Sequence, residues 1–426
     1  MVDKSRVLYD LGLVYESRIS QDLNNPIHLR NTVVLDHEVD GELLKKAWER
    51  TKRVYPIIDA VLGYDQEDTG VYLNPKTRDL YKNDHIYLLK ASGGTNEPVK
   101  TRIPITPGTE VVGNRLIAIS YYENRISINF YHRLVDGGGM NMVFNTLLYA
   151  YLALFTGHED EKPVVELTEG RKLEEYYVGD SPELVFSKDY KPVPLYTLPR
   201  NCKGLTDPEM RNEDGDVLAG NMAISLPDFL KYCKENGANP SAMICTLLAK
   251  VSYALNPEIC DDIVFGLSVA AKKHLGIQNS IANAVGVAIA YTSRDALENT
   301  SIGEVARKIR SDVDTQRTAD YYITSYRLFQ SYSQAFNFRA RTVTYVGAID
   351  VGDNNKHLID LYTESNGDDN LFLFQLGNRF MMTLTYGLAT AKYLQEFLRI
   401  FRELGIRAEI THEAYAIDKD ASEPVL

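Results

Sequence analysis

The run YHRLVDGGG, from Tyr131 to Gly139, places a histidine, an aspartate four residues on and three consecutive glycines at the end of an apolar alternating stretch. A neutral imidazole, with an ordinary pKa near ~6.5, accepts a proton readily near neutral pH, and such general-base assistance is worth roughly 10²–10⁴ in rate. His132 is therefore expected to deprotonate a hydroxyl or amine acceptor. Asp136 is a candidate organiser of that histidine, although aspartate also caps turns. Gly137, Gly138 and Gly139 allow left-handed or close-approach backbone. They do not form a phosphate loop, because the G-x-x-x-x-G-K-[ST] pattern is missing. The remaining histidines are scattered without metal-ligand spacing, so no metal is expected.

The elements that must hold this group are legible around it. RLIAISYYENRISINFYH reads as a β-hairpin turning at Glu123, Asn124 and Arg125, and MNMVFNTLLYAYLALFTG reads as a helix closed by Gly157. Upstream, a β-branched strand leads to an Asp40 cap and a helix with Leu43, Leu44, Ala47 and Trp48 on one stripe, stopped by Pro56. Downstream, helices are predicted over Pro227 to Asn236 and from Pro240 to Leu255 with Asn239 as cap. DDIVFGLSVA and RTVTYVGAI read as strands, SIGEVARKIRSDVDTQR as a helix, and NLFLFQLGNRFMMTLTYG as a hairpin followed by a last helix. This hairpin and helix repeat the pattern around residues 114 to 155, but the second corner reads TYGLATAK. If folding alone required the histidine, aspartate and glycines, the second corner would carry them too. They are additions for chemistry.

At 426 residues, and about 150 residues per domain, the chain predicts two large α+β lobes. The expected boundaries are 1–160 for a first lobe carrying the motif, 161–215 for a crossover linker rich in charge and proline, and 216–426 for a second lobe. A net charge of −12 argues against a nucleic-acid partner. No apolar run reaches the ~20 residues of a spanning helix, and the N-terminus lacks a secretion signal, so a cytoplasmic, membrane-free protein is expected. Cys202, Cys233, Cys245 and Cys260 stand singly and are read as reduced structural thiols.

YHRLVDGGG resembles the H-H-x-x-x-D-G signature of the CoA-dependent acyltransferase superfamily, which includes chloramphenicol acetyltransferase, alcohol acetyltransferases and the condensation domains of peptide synthetases. His132, Asp136 and Gly137 match the second histidine, aspartate and glycine; Tyr131 stands where the first histidine would be. TVVLDHEVDGELLKKAWERTKRVYP, VFGLSVAAKKHLG with the later NSIANAVGVAIAYT, and RTVTYVGAID are similar to further family segments in the same order. The D-F-G-W-G box of the plant enzymes is absent, which favours the bacterial alcohol acetyltransferase-like or condensation-like branch.

The resemblance implies two chloramphenicol acetyltransferase-like lobes, each a mixed β-sheet with flanking helices, and a tunnel between them. It implies acyl transfer from a CoA thioester, or from a carrier protein's phosphopantetheine arm, to a small acceptor. His132 would be the base and Asp136 its organiser, paired with an arginine, Arg18 or Arg30. Asn283, Thr344, Tyr345 and Tyr131 are candidates for the oxyanion and substrate, since a tetrahedral intermediate needs a donor. Lys272 and Lys273 are candidates for the cofactor's phosphates, set against a solvated surface pair. Two other readings stand beside these. GLSVA falls one residue short of a nucleophile elbow, which would make Ser268 a hydrolase nucleophile, and the loss of the first histidine would suit a catalytically silent binding member.

Overall fold

The computed structural model describes residues 4–10, 28–66, 84–132, 134–178, 191–198, 218–259, 261–331, 340–365, 370–386 and 389–416. Among the described residues, fifteen strands run in chain order as β1 (Val7–Asp10), β2 (His28–Leu35), β3 (Ala60–Gln66), β4 (Asp84–Lys90), β5 (Val99–Lys100), β6 (Ile117–Tyr122), β7 (Arg125–Tyr131), β8 (Leu218–Ser225), β9 (Ile263–Ala270), β10 (Val285–Thr292), β11 (Arg341–Ile349), β12 (Leu358–Ser365), β13 (Asn370–Leu376), β14 (Arg379–Thr385) and β15 (Ala408–Ala416). The longer helices are α1 (Gly41–Val54), α2 (Gly137–Thr156), α3 (Leu226–Glu235), α4 (Pro240–Leu255), α5 (Ile302–Thr315), α6 (Ala319–Ser331) and α7 (Thr390–Glu403).

Local rules explain most of these limits. Asp40 caps α1 by accepting from the Glu42 and Leu43 amides, and Leu44, Ala47 and Trp48 form its buried stripe. Asn239 caps α4 through Ala242 N, and Ser301 and Glu304 form a capping box at the start of α5. Gly157 (φ 70°) closes α2, and Gly377 (φ 54°) turns the β13–β14 hairpin. The β6–β7 turn comprises Glu123 and Asn124 only, Arg125 already being the first residue of β7.

The strands form a five-stranded sheet in the order β12-β2-β7-β6-β5, a seven-stranded sheet in the order β10-β9-β11-β13-β14-β8-β15, and a small sheet β1-β4-β3. Strand β11 is parallel to both its neighbours, and β5 is parallel to β6; the other pairs are antiparallel. Both large sheets are therefore mixed and carry helices on one face, the α+β build expected. Each lobe has its own core: Trp48, Phe130, Phe144 and Tyr151 belong to the first, and Phe229, Phe265, Phe397 and Phe401 to the second.

Two features depart from the expected division. Strand β12, well inside the range assigned to the second lobe, pairs with β2 and forms the edge of the first sheet. Strand β15 follows α7, the helix expected to complete the lobe, and pairs with β8. Its sequence, AEITHEAYA, interleaves charge with small residues and offers no clean period of two.

Candidate active site

His132 directly follows β7, at the point where the first lobe meets the second. Its Nδ1 lies 3.2 Å from the carbonyl oxygen of Val135. A carbonyl only accepts, so this contact calls for the proton on Nδ1, whereas Asn283 Nδ2, which only donates, stands farther from the same atom at 3.5 Å; with the proton on Nδ1 the Nε2 lone pair is the basic site. The Phe130 ring stands 6.2 Å from the imidazole, from the same side of the sheet.

The segment after the histidine is tied to the second lobe at several points. Asn283 Nδ2 donates to His132 O at 2.7 Å, Val135 forms an antiparallel bridge with Ala282, and Tyr177 Oη donates to Leu134 O. Asn283 is thereby engaged in holding the histidine's backbone. Its amide was expected at the oxyanion, a position this hydrogen bond does not serve.

Asp136 is 2% exposed and collects three donors. Oδ1 accepts from Gly139 N at 2.7 Å, which caps α2, and from Lys272 Nζ at 2.7 Å; Oδ2 accepts from Ala284 N at 3.1 Å. One carboxylate thus fixes the start of α2 and joins both lobes. Of the two arginines expected at Asp136, Arg30 pairs instead with Glu364 at 3.1 Å, and Arg18 lies outside the described residues. Among the described residues the cation on Asp136 is Lys272, which at 7% exposure is neither a surface lysine nor placed to meet phosphates. Burial holds its amine below the ordinary lysine range, against the opposing pull of the Asp136 carboxylate. Lys273, the next residue, is exposed.

The glycines work by close approach. None of Gly137, Gly138 and Gly139 has a positive φ. A Cβ on Gly139 would overlap the Ile281 carbonyl oxygen, and one on Gly137 would come within 2.8 Å of Val346 Cγ1. Val346 is the extra residue of a bulge in β11, between Tyr345 and Gly347, and its carbonyl accepts from Asn141 Nδ2 of α2. The bulge seats β11 against the first turns of α2.

The two β11 candidates separate. Thr344 Oγ1 lies 2.9 Å from Ser268 Oγ on the adjacent β9, which puts both hydroxyls on one face of the sheet. Tyr345 points the other way, 42% exposed and edge-on to Phe380. Tyr131 is 5% exposed within the first core. Ser268 sits inside β9, which continues to Ala270, so the sharp strand-to-helix elbow of a hydrolase nucleophile is absent at this position. Burial pushes the Cys233 thiol up to about 12 and raises that of Cys245 as well, so neither is a ready thiolate.

No family model and no curated protein matches the chain by sequence. Solved structures do match. Polyketide synthase associated protein 5 from Mycobacterium tuberculosis aligns with a TM-score of 0.59 at 12% identity, over 93% of this chain and 97% of that one. F. graminearum TRI101, solved with coenzyme A and T-2 mycotoxin, gives 0.60 at 10% identity over 96% and 100%. The first condensation domain of the calcium-dependent antibiotic synthetase, in complex with a substrate analogue, gives 0.59 at 13% identity over 93% and 96%. The chain has the two-lobed fold of the CoA-dependent acyltransferases and condensation domains. Within that fold, His132 and Asp136 lie on the seam where the start of α2 in the first lobe meets β11 and the segment before β10, Ala282 and Ala284, of the second. No described helix is long and apolar enough to cross a membrane.

Proposed function

We propose that the protein is an acyltransferase that moves an acyl group from a CoA thioester to the hydroxyl or amine of a small acceptor, with His132 as general base. The observation that carries this reading is the 3.2 Å contact of His132 Nδ1 with Val135 O, shorter than the 3.5 Å approach of Asn283 Nδ2 to the same atom, which favours the proton on Nδ1 and Nε2 as the base. Nε2 removes the acceptor's proton as its oxygen or nitrogen attacks the thioester carbonyl. The tetrahedral intermediate collapses with cleavage of the C–S bond, and the imidazolium returns the proton to the departing sulfur. Thr344 is the donor we assign to the oxyanion, with Ser268 orienting its hydroxyl. Asp136 acts through position, by fixing the start of α2 and the second-lobe segment that holds the histidine.

Release of free thiol from acetyl-CoA and longer acyl-CoA esters, in the presence of a panel of alcohols and amines, tests the reaction. His132→Ala is expected to lower turnover roughly 10²–10⁴-fold with substrate binding retained. An unimpaired His132→Ala enzyme removes the histidine from the mechanism.

A second reading, in which the acyl donor rides on a carrier protein, is favoured by one observation. Lys272, half of the lysine pair expected at the CoA phosphates, is buried against Asp136. Turnover of an acyl group on a phosphopantetheinylated carrier, with none of the matching CoA ester, selects it.

A further inference from the structure

A cavity of about 760 Å³ opens on the first lobe away from its helices. Along β2 the odd-numbered Leu29, Val33 and Leu35 enter the core, so Arg30 faces the opposite side, directly across from Glu364 of β12 and Asn129 of β7. Around it the cavity is lined by Arg102, Tyr122, Arg125, Tyr362 and, from β15, His412. Along β7, at about 3.3 Å per residue, Arg30 opposite Asn129 lies about 10 Å from His132, and Arg125 at the start of the strand about 23 Å.

Its charge is unusual for this chain. Three arginines face two glutamates there, in a protein of net charge −12. Both glutamates are already engaged: Glu364 with Arg30 Nη1 at 3.1 Å, and Glu123 with Arg125 Nη1 at 3.2 Å. Arg102 has no ion-pair partner among the described residues. Arg30, 11% exposed, donates only through Nη1 among those residues, and its buried Nε has no acceptor. An unmet buried donor is destabilising, and an acceptor oxygen removes that cost. Guanidinium forks match planar oxyanions in a bidentate manner, and the Tyr122 and Tyr362 rings with Ile103 and Pro104 supply apolar wall.

We propose that this cavity is a binding site for a small organic oxyanion, a carboxylate or phosphate monoester, whose acidic group lies among Arg30, Arg102 and Arg125 and whose apolar part packs on the two tyrosines. Its volume is in the range of ordinary small-molecule sites. The inference is independent of acyl transfer and is tested by binding alone.

The test is calorimetric titration of the purified protein with benzoate, phenyl phosphate, inorganic phosphate and, as an uncharged control, benzyl alcohol. At least one of the two aromatic anions is expected to bind saturably with a Kd of about 1 mM or tighter, more weakly at high salt, while benzyl alcohol does not. The order of benzoate and phenyl phosphate distinguishes carboxylate from phosphate recognition, and inorganic phosphate shows how much of the affinity the acidic group supplies. Arg102→Gln and Arg125→Gln are each expected to weaken binding about tenfold while leaving the ligand-free Tm nearly unchanged, since Arg102 is exposed and the half-buried Arg125 makes only a surface ion pair with Glu123. Absence of saturable binding by both aromatic anions overturns the proposal. So does binding that is unchanged in the Arg102→Gln/Arg125→Gln double variant.

Discussion

The ion pair between Lys272 and Asp136 has side chains only 9% and 3% exposed, a depth at which removing one partner is costly because the other charge stays buried. Lys272→Met is expected to destabilise the protein by about 3–5 kcal/mol, and Asp136→Asn/Lys272→Met by less than the sum of the two single changes, read from urea midpoints. Additive losses would mean that the two groups do not act as a pair. The need for a partner was legible from the motif, but its identity was not: 136 positions separate the residues, and no local pattern distinguishes Lys272 from a surface lysine. Asp36 gives a pH-dependent contrast at a more exposed site. Desolvation raises its pKa, but hydrogen bonds from His37 and His357 outweigh that and hold the carboxyl below its ordinary value. A carboxyl depressed in the folded state contributes stability above the unfolded value of about 4 and loses it as pH falls through the folded value. The stability gap between wild type and Asp36→Asn is therefore expected to narrow from pH 6 towards about pH 3 in denaturant titrations. A gap that stays constant would exclude the carboxylate as its source.

At the scale of elements, the start of α2 shows how backbone and chemistry share one segment. Glycine costs a helix interior roughly 0.5–1 kcal/mol relative to alanine, so three at its beginning are retained for another reason. That reason is concentrated at Gly139, where the Ile281 carbonyl occupies the space of a side chain; Gly138 has only Asp136 Oδ1 near, at 3.5 Å. Gly139→Ala is expected to push residues 281–284 away, lowering Tm and turnover together, while Gly138→Ala keeps turnover and leaves stability equal or slightly higher. Equal behaviour of the two variants would remove the close-approach argument. The sequence offered the glycines and both conformational uses for them, and only the placement of the second lobe decides between these. Elements with a strong period and a cap, such as α1, α4, α5 and the two hairpins, were readable because their apolar face and end signals are local. The β11 bulge was not, since an extra residue in a strand is defined by the partner's register.

For the whole molecule, β12 decides how independent the lobes are. It leaves the second half of the chain to pair along β2, from Leu358 opposite Leu35 to Ser365 opposite Leu29. Ile349, Phe372, Phe374 and Met381, from strands of the second sheet, pack into the first core. A buried polar seam locks the arrangement: Asn221 Nδ2 donates to Asp360 Oδ1 and Leu361 O, Thr383 Oγ1 donates to Asn221 Oδ1, and Thr363 Oγ1 donates to Asn31 Oδ1. Two lobes were legible as a repeated pattern, but a crossing strand was hidden because strand propensity does not say which sheet a strand joins. Shared core and shared sheet together predict that the lobes unfold as one cooperative unit. Differential scanning calorimetry is expected to show a single transition, with the calorimetric and van't Hoff enthalpies equal. Asn221→Ala, which removes the acceptor of the buried Thr383 hydroxyl and one of the donors to Asp360 Oδ1, is expected to lower stability by about 1–3 kcal/mol while keeping the transition single. Two resolved transitions in the wild-type protein would show that β12 leaves the lobes thermodynamically separate.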